Sequence, residues 1–131
     1  MHFKCLVERF LVSSAGDCTG VSFTSTSSKR YKTNIRSLTG NLDKILQLSA
    51  VRYDSTVRVN DTNDIGMIAE DVVNVIPEIV YDDPDYPGEL AGIDYGRLTT
   101  VLAGAIQEMR AEYQAQIATL QSQVVDLSSK L

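Results

Sequence analysis

The sequence predicts an α+β fold, a small mixed domain that runs into one long C-terminal helix and is preceded by a short β stalk segment. Three observations carry this. Residues 1–26 alternate apolar and polar side chains with period two, residues 27–97 mix short helical and strand patterns between turn formers, and residues 98–131 space apolar side chains three and four apart with no proline. Those three zones are the expected domains.

In the first zone Phe10 and Val12 alternate with Leu11 and Ser13, and Val21 and Phe23 with Ser22 and Thr24, while Ala15-Gly16-Asp17 supplies a turn. Two short strands joined by a loop are expected. Strands this short and this rich in Ser and Thr bury too little to fold alone, so they suit either a stalk in which several chains wrap together or a hairpin packed on the following domain. In the second zone Thr39 or Asn41 is placed to cap a helix with Leu42, Ile45, Leu46 and Leu48 on one face. Val51, Tyr53, Val57 and Val59 alternate as a strand, and Asn60-Asp61-Thr62-Asn63 is a turn before Ile65-Gly66-Met67. A second helix from about Ala69 to Val75 stops at Pro77, because the residue before a proline is pushed out of the helical region. Glu78 to Tyr81 reads as another short strand, and Asp82 to Gly88 as a loop.

The third zone is one helix, with Asp94 as its N-cap. Its apolar positions run from Leu98 to Leu131 in steps of three and four, and from Ile117 onward they make a regular heptad seam. Two successive steps of four around Tyr113 form a stutter, which locally unwinds a supercoil. A helix of this length cannot pack along its whole extent on the domain before it, and no second long helix is present to pair with it. Oligomerisation is the expected consequence.

Composition narrows the function classes. At 131 residues and 44% hydrophobic content the chain suits one domain plus an extension. No apolar run approaches the roughly 20 residues that a membrane span requires, and Glu8 and Arg9 interrupt the N-terminal segment where a signal peptide would need its apolar stretch. Residues 1–50 carry seven Lys/Arg against three Asp/Glu, and residues 51–131 five against fourteen. The basic cluster Lys29, Arg30, Lys32 and Arg36 lacks aromatic interleaving, and the net charge of −5 opposes a nucleic-acid partner. Pairing of that cluster with Asp82, Asp83 and Asp85 is expected instead. Cys5, Cys18 and His2 are too few for a four-ligand zinc site within one chain, so neither metal nor other cofactor is expected. The cysteines read as buried free thiols more than as a disulfide. A metal held on a threefold axis by His2 is the remaining metal alternative.

One stretch carries chemistry. Ser27-Ser28-Lys29-Arg30-Tyr31-Lys32-Thr33-Asn34-Ile35 sets a hydroxyl and an amine five residues apart where the alternating zone gives way to the first helical pattern. A serine becomes a nucleophile when a neighbouring base takes its proton, and a lysine is that base once burial lowers its pKa. After this junction come Leu42-Asp43-Lys44-Ile45-Leu46, Ile65-Gly66-Met67-Ile68-Ala69-Glu70-Asp71-Val72, Ile76-Pro77-Glu78-Ile79-Val80 and Ile93-Asp94-Tyr95-Gly96-Arg97-Leu98. In that order, from Ser27 to Leu131, the segments resemble the intramolecular chaperone auto-processing domain at the C-terminus of phage tailspikes, endosialidases and neck or tail fibre proteins, found also in the myelin regulatory factor.

The resemblance implies a homotrimeric coiled coil and a single-turnover serine endopeptidase, with Ser27 as nucleophile, Lys32 as its base and the scissile bond between Thr26 and Ser27. It implies as partners two further copies of the chain and the upstream fibre segment of the same polypeptide. It places folding in the host cytoplasm during virion assembly, with the fibre retained in the virion tail and the chaperone released. Two positions depart from the family pattern: Ser28 stands where Asp is common, and Glu70 where Gln is common. Slower cleavage is expected if those side chains orient the reacting groups. The alternatives are a trimerisation cap that does not cleave, and a coiled-coil adaptor unrelated to fibres.

Overall fold

The computed structural model describes residues 10–14, 16–58, 60 and 62–131. It is a mixed α+β structure of small two-stranded sheets and one long C-terminal helix. The readings placed on His2 and Cys5 lie outside the described residues. The chain forms two compact units, Met1–Arg36 with Tyr53–Asp64, and Ser37–Arg52 with Ile65–Leu131.

In the first unit β1 (Phe10–Val12) and β2 (Cys18–Gly20) form an antiparallel hairpin with Leu11 opposite Thr19. The second strand comes earlier than the Val21–Phe23 pattern suggested. Ser13 closes the loop by itself: its amide donates to the Asp17 carbonyl, its carbonyl accepts from Gly16, and its hydroxyl accepts from the Asp17 amide. Gly16 supplies the left-handed φ of 85° that so tight a reversal needs. The strand therefore begins at Cys18, and Val21 and Phe23 fall in the exposed segment after it, outside any strand. Cys18 is a free thiol and exposed, which corrects the expectation of a buried one. Arg58 and Asp17 form an ion pair at 2.7 Å in this unit.

The second unit holds the core. Its elements are α1 (Asn41–Ile45), α2 (Ala69–Val72), a 3-10 turn at Pro77–Ile79, the antiparallel pair β5 (Val80–Asp82) and β6 (Leu90–Ile93), and α3 (Tyr95–Ser129). Two short strands, β3 (Val51–Tyr53) and β4 (Asp64–Gly66), pair with each other. Val72, Ile76, Ile79, Leu98 and Val101 are almost fully buried together, with Ile45, Leu48, Met67 and Ile93 packed against them. Burying side chains of this size stabilises by about 1.5–3 kcal/mol each, so five of them on a few short elements are what make the unit compact. The second helix ends three residues sooner than Val75. Its last turn tightens as the Val75 amide bonds to the Val72 carbonyl three residues back, and Pro77 then opens the 3-10 turn.

The Gly-x-Ile-Ala and Asp-Tyr-x-x-Leu blocks meet in this unit. The Met67 amide donates to the Tyr95 hydroxyl at 2.9 Å, the Asp94 amide donates to the Ile79 carbonyl at 2.8 Å, and Leu98 enters the core beside Val72. Asp94 is the N-cap of α3, its carboxylate accepting from the Arg97 amide at 2.9 Å, as its position before the apolar series predicts.

Helix α3 runs for 35 residues, about 52 Å at 1.5 Å per residue. Only Leu98, Val101 and Ala105 of it are buried. Beyond them the apolar seam is open: Ile106 is 60% exposed, Ile117 54%, Leu120 58%, Val124 61% and Leu127 63%. No described helix is long and apolar enough to cross a membrane.

Candidate active site

Residues 22–28 form neither helix nor strand, and every residue from 21 to 40 is exposed. Ser28, itself in an extended conformation, starts a 3-10 turn at Lys29–Tyr31, in which the Tyr31 amide bonds to the Ser28 carbonyl and the Lys32 amide to the Lys29 carbonyl, each at 3.0 Å. One turn of 3-10 helix reverses the chain enough to bring residue 32 back toward residue 27. The Lys32 Nζ donates to Ser27 Oγ at 2.7 Å and to the Ser27 carbonyl at 2.9 Å. The two residues singled out by their spacing are therefore in contact, within the 2.6–3.2 Å over which a base can take a proton.

Two other members of the basic cluster, Arg30 and Arg36, bond to residues near them in sequence. Arg30 stacks on the Tyr31 ring, 4.7 Å from its centroid, and donates to the Tyr31 hydroxyl at 2.7 Å; Arg36 donates to the Asn34 carbonyl. Asn34 adopts a left-handed φ of 51°, a conformation that Asn tolerates better than most residues. In the acidic loop, Asp83 accepts from the Asp85 amide at 2.9 Å and so stiffens its own turn.

What the junction can do chemically follows from its exposure. The hydroxyl and amine are in register, and the exposed surroundings leave the amine open to water. Activation requires something to cover Lys32. Thr26, on the other side of the bond in question, is exposed as well.

A second polar constellation was not visible in the sequence. Glu108 of α3 accepts from the Leu42 amide at 2.7 Å, the Asn41 amide at 3.2 Å and the Asn41 Nδ2 at 2.9 Å. These donors, the Leu42 amide first and the Asn41 amide next, hold its carboxyl below the usual range, against a partial opposing effect of burial. No local pattern betrays a contact spanning 66 and 67 residues. The one signal was the Gly104-x-x-x-Glu108 spacing, which puts a missing side chain one turn before a carboxylate on the same face.

A hollow of about 570 Å³ is lined by Val51, Ile65, Gly66, Met67 and Tyr95 among others, and its walls carry no nucleophile–base pair. Among the described residues no group of His, Cys, Asp and Glu is gathered closely enough to hold a metal ion. No curated protein matches the chain. Residues 27–81 match the family model of the chaperone of endosialidase, peptidase S74, and the match supports the intramolecular chaperone domain, related to peptidases, that the junction and the blocks after it resemble.

Proposed function

We propose that this chain is a C-terminal intramolecular chaperone that trimerises through α3, guides the folding of an upstream tail fibre or tailspike segment, and then releases itself by cleaving between Thr26 and Ser27. The observation that carries the cleavage is the 2.7 Å contact between Lys32 Nζ and Ser27 Oγ, at the residue where the family match begins. Ser27 Oγ attacks the Thr26 carbonyl carbon as neutral Lys32 takes the hydroxyl proton. The Thr26–Ser27 amide breaks as its nitrogen is protonated, leaving a Thr26–Ser27 ester and a free Ser27 α-amine. Water then hydrolyses the ester to a Thr26 carboxylate and the Ser27 hydroxyl. Covering of Lys32 by the folded end of the fibre is the trigger, so cleavage reports assembly.

Association rests on the open seam of α3. Burying eight half-exposed apolar side chains from Ile106 to Leu131 is worth on the order of 10 kcal/mol per chain. That is comparable with the roughly 4–15 kcal/mol cost of fixing chains together, so the seam supports an oligomer with little to spare. Threefold stoichiometry follows from the fibres that such domains serve. Meeting the cost of registration once, at the C-terminus, makes each later strand pairing effectively intramolecular. Losing the chaperone afterwards leaves the fibre kinetically locked. Host cytoplasm during virion assembly is the compartment this sequence of events requires.

The second reading, a trimerisation cap that does not cleave, is favoured by the exposure of Lys32 in the single chain. Intact mass under native and denaturing conditions separates the two, with wild type beside Ser27→Ala and Lys32→Arg. Arginine keeps the donors but cannot give up its proton, and loss of a general base is expected to slow cleavage about 10²–10⁴-fold. Splitting of wild type alone between Thr26 and Ser27 establishes the dyad. Three whole trimers leave the cap, and whole monomers defeat both readings.

A further inference from the structure

Helix α1 is five residues long, too short to be stable by itself, and Ile45 and the following Leu48 reach the core only half-buried. What it has instead is a polar attachment to α3. Asn41, only 1% exposed, sits over Gly104, where an added Cβ would lie 2.5 Å from Asn41 Nδ2 and 2.7 Å from Cγ. From that notch Nδ2 donates to the Leu38 carbonyl at 2.9 Å and to Glu108, and the same carboxylate takes the Asn41 and Leu42 amides. The preceding turn is made by Gly40 at φ 71°, so no side chain at the N-cap does this work and Glu108 substitutes for one.

We infer that Gly104, Glu108 and Asn41 form a latch that fixes the segment Leu38–Leu48 to α3, and that opening it frees this segment while the core and the oligomer stay intact. Two observations make the opening local. At 100° per residue Gly104 and Glu108 lie about 160° around α3 from Leu102 and Ile106, so the latch and the open apolar seam occupy opposite faces and neither obstructs the other. And Asn41 Oδ1 is buried without a protein donor, so the docked state carries an unmet acceptor that release would hydrate. A short element held by charge-assisted bonds with one acceptor unmet is poised to open before Val72, Ile76, Ile79 and Leu98 do. The latch does not depend on whether the junction cleaves.

Hydrogen exchange of the full chain, followed by mass spectrometry, tests it in wild type, Glu108→Gln and Gly104→Ala. Peptides covering 38–48 are expected to lose protection at least about tenfold in both variants, because charge-assisted bonds to two amides are weakened or displaced. Peptides covering 72–80 and 98–105 should exchange as in wild type, with native mass unchanged. Unchanged protection of 38–48 in Glu108→Gln overturns the inference, as does an equal rise across the core. Wild type alone gives an independent reading in low urea, where 38–48 must open at lower denaturant than 72–80; simultaneous opening also overturns it.

Discussion

A lysine in contact with a serine is either a donor or a base, and one proton decides which. At Lys32 the same 2.7 Å contact serves both states, so the residue scale fixes geometry and leaves protonation to the surroundings. Glu108 shows the opposite case, a titrating group whose state is fixed by its own partners. Its carboxyl is held below the ordinary value of 4.5 by amides that bond the charged form more strongly than the neutral one. A group whose folded pKa is depressed contributes stability that is fully present above the unfolded value and is lost as pH falls through the folded one. Attachment of α1 should therefore be constant from neutrality down to about pH 5 and weaken below 4.5. Exchange protection of the 38–48 peptide, measured at matched intrinsic rates, should fall in that window for wild type and show no such step in Glu108→Gln. A step of equal size in both would assign the acid sensitivity to another carboxylate.

Among the elements, α3 was the most legible and α1 the least. Asp94 before an uninterrupted apolar series announces a capped helix, because both signals are local and both are strong. The start of α1 depends instead on a left-handed glycine and a carboxylate far along the chain, so Thr39 and Asn41 looked like caps and neither is one. Strand β6 went unread because Leu90-Ala91-Gly92-Ile93 has no alternation; it exists through pairing with β5, where a bulge between Tyr81 and Asp82 absorbs the mismatch. The closeness of Ser27 and Lys32 was legible as a spacing, and the 3-10 turn that brings them into contact was not. The division of α3 into a packed first part and an open remainder has its own test. Leu120→Asp puts a charge at a seam position 58% exposed and 15 residues past the last buried residue, Ala105. It should abolish the oligomer in light scattering, since burying an unpaired charge costs far more than the seam gains per residue. The unfolding free energy of the domain at low concentration should change by no more than about 0.5 kcal/mol, as for other surface changes. A large loss of monomer stability would mean that the distal helix packs on its own chain.

At the scale of the whole molecule, the proposed cleavage joins two features that lie far apart in sequence, the Ser27–Lys32 contact and the open apolar seam of α3. If the seam acts only by gathering chains, its particular residues are dispensable and its valency is not. Replacing residues 112–131 with an unrelated trimeric coiled coil in register with Met109 should restore self-cleavage that Leu120→Asp has lost, with the intact-mass product still split between Thr26 and Ser27. A dimeric coil in the same place should gather two chains and leave the bond whole, because two upstream strands cannot complete a threefold fibre end to cover Lys32. The comparison isolates stoichiometry from helix content, since both replacements supply a folded helix. Cleavage by the dimeric version at the trimeric rate would mean that Lys32 is covered within one chain or a pair, and the coupling of release to completion of the fibre would then be lost.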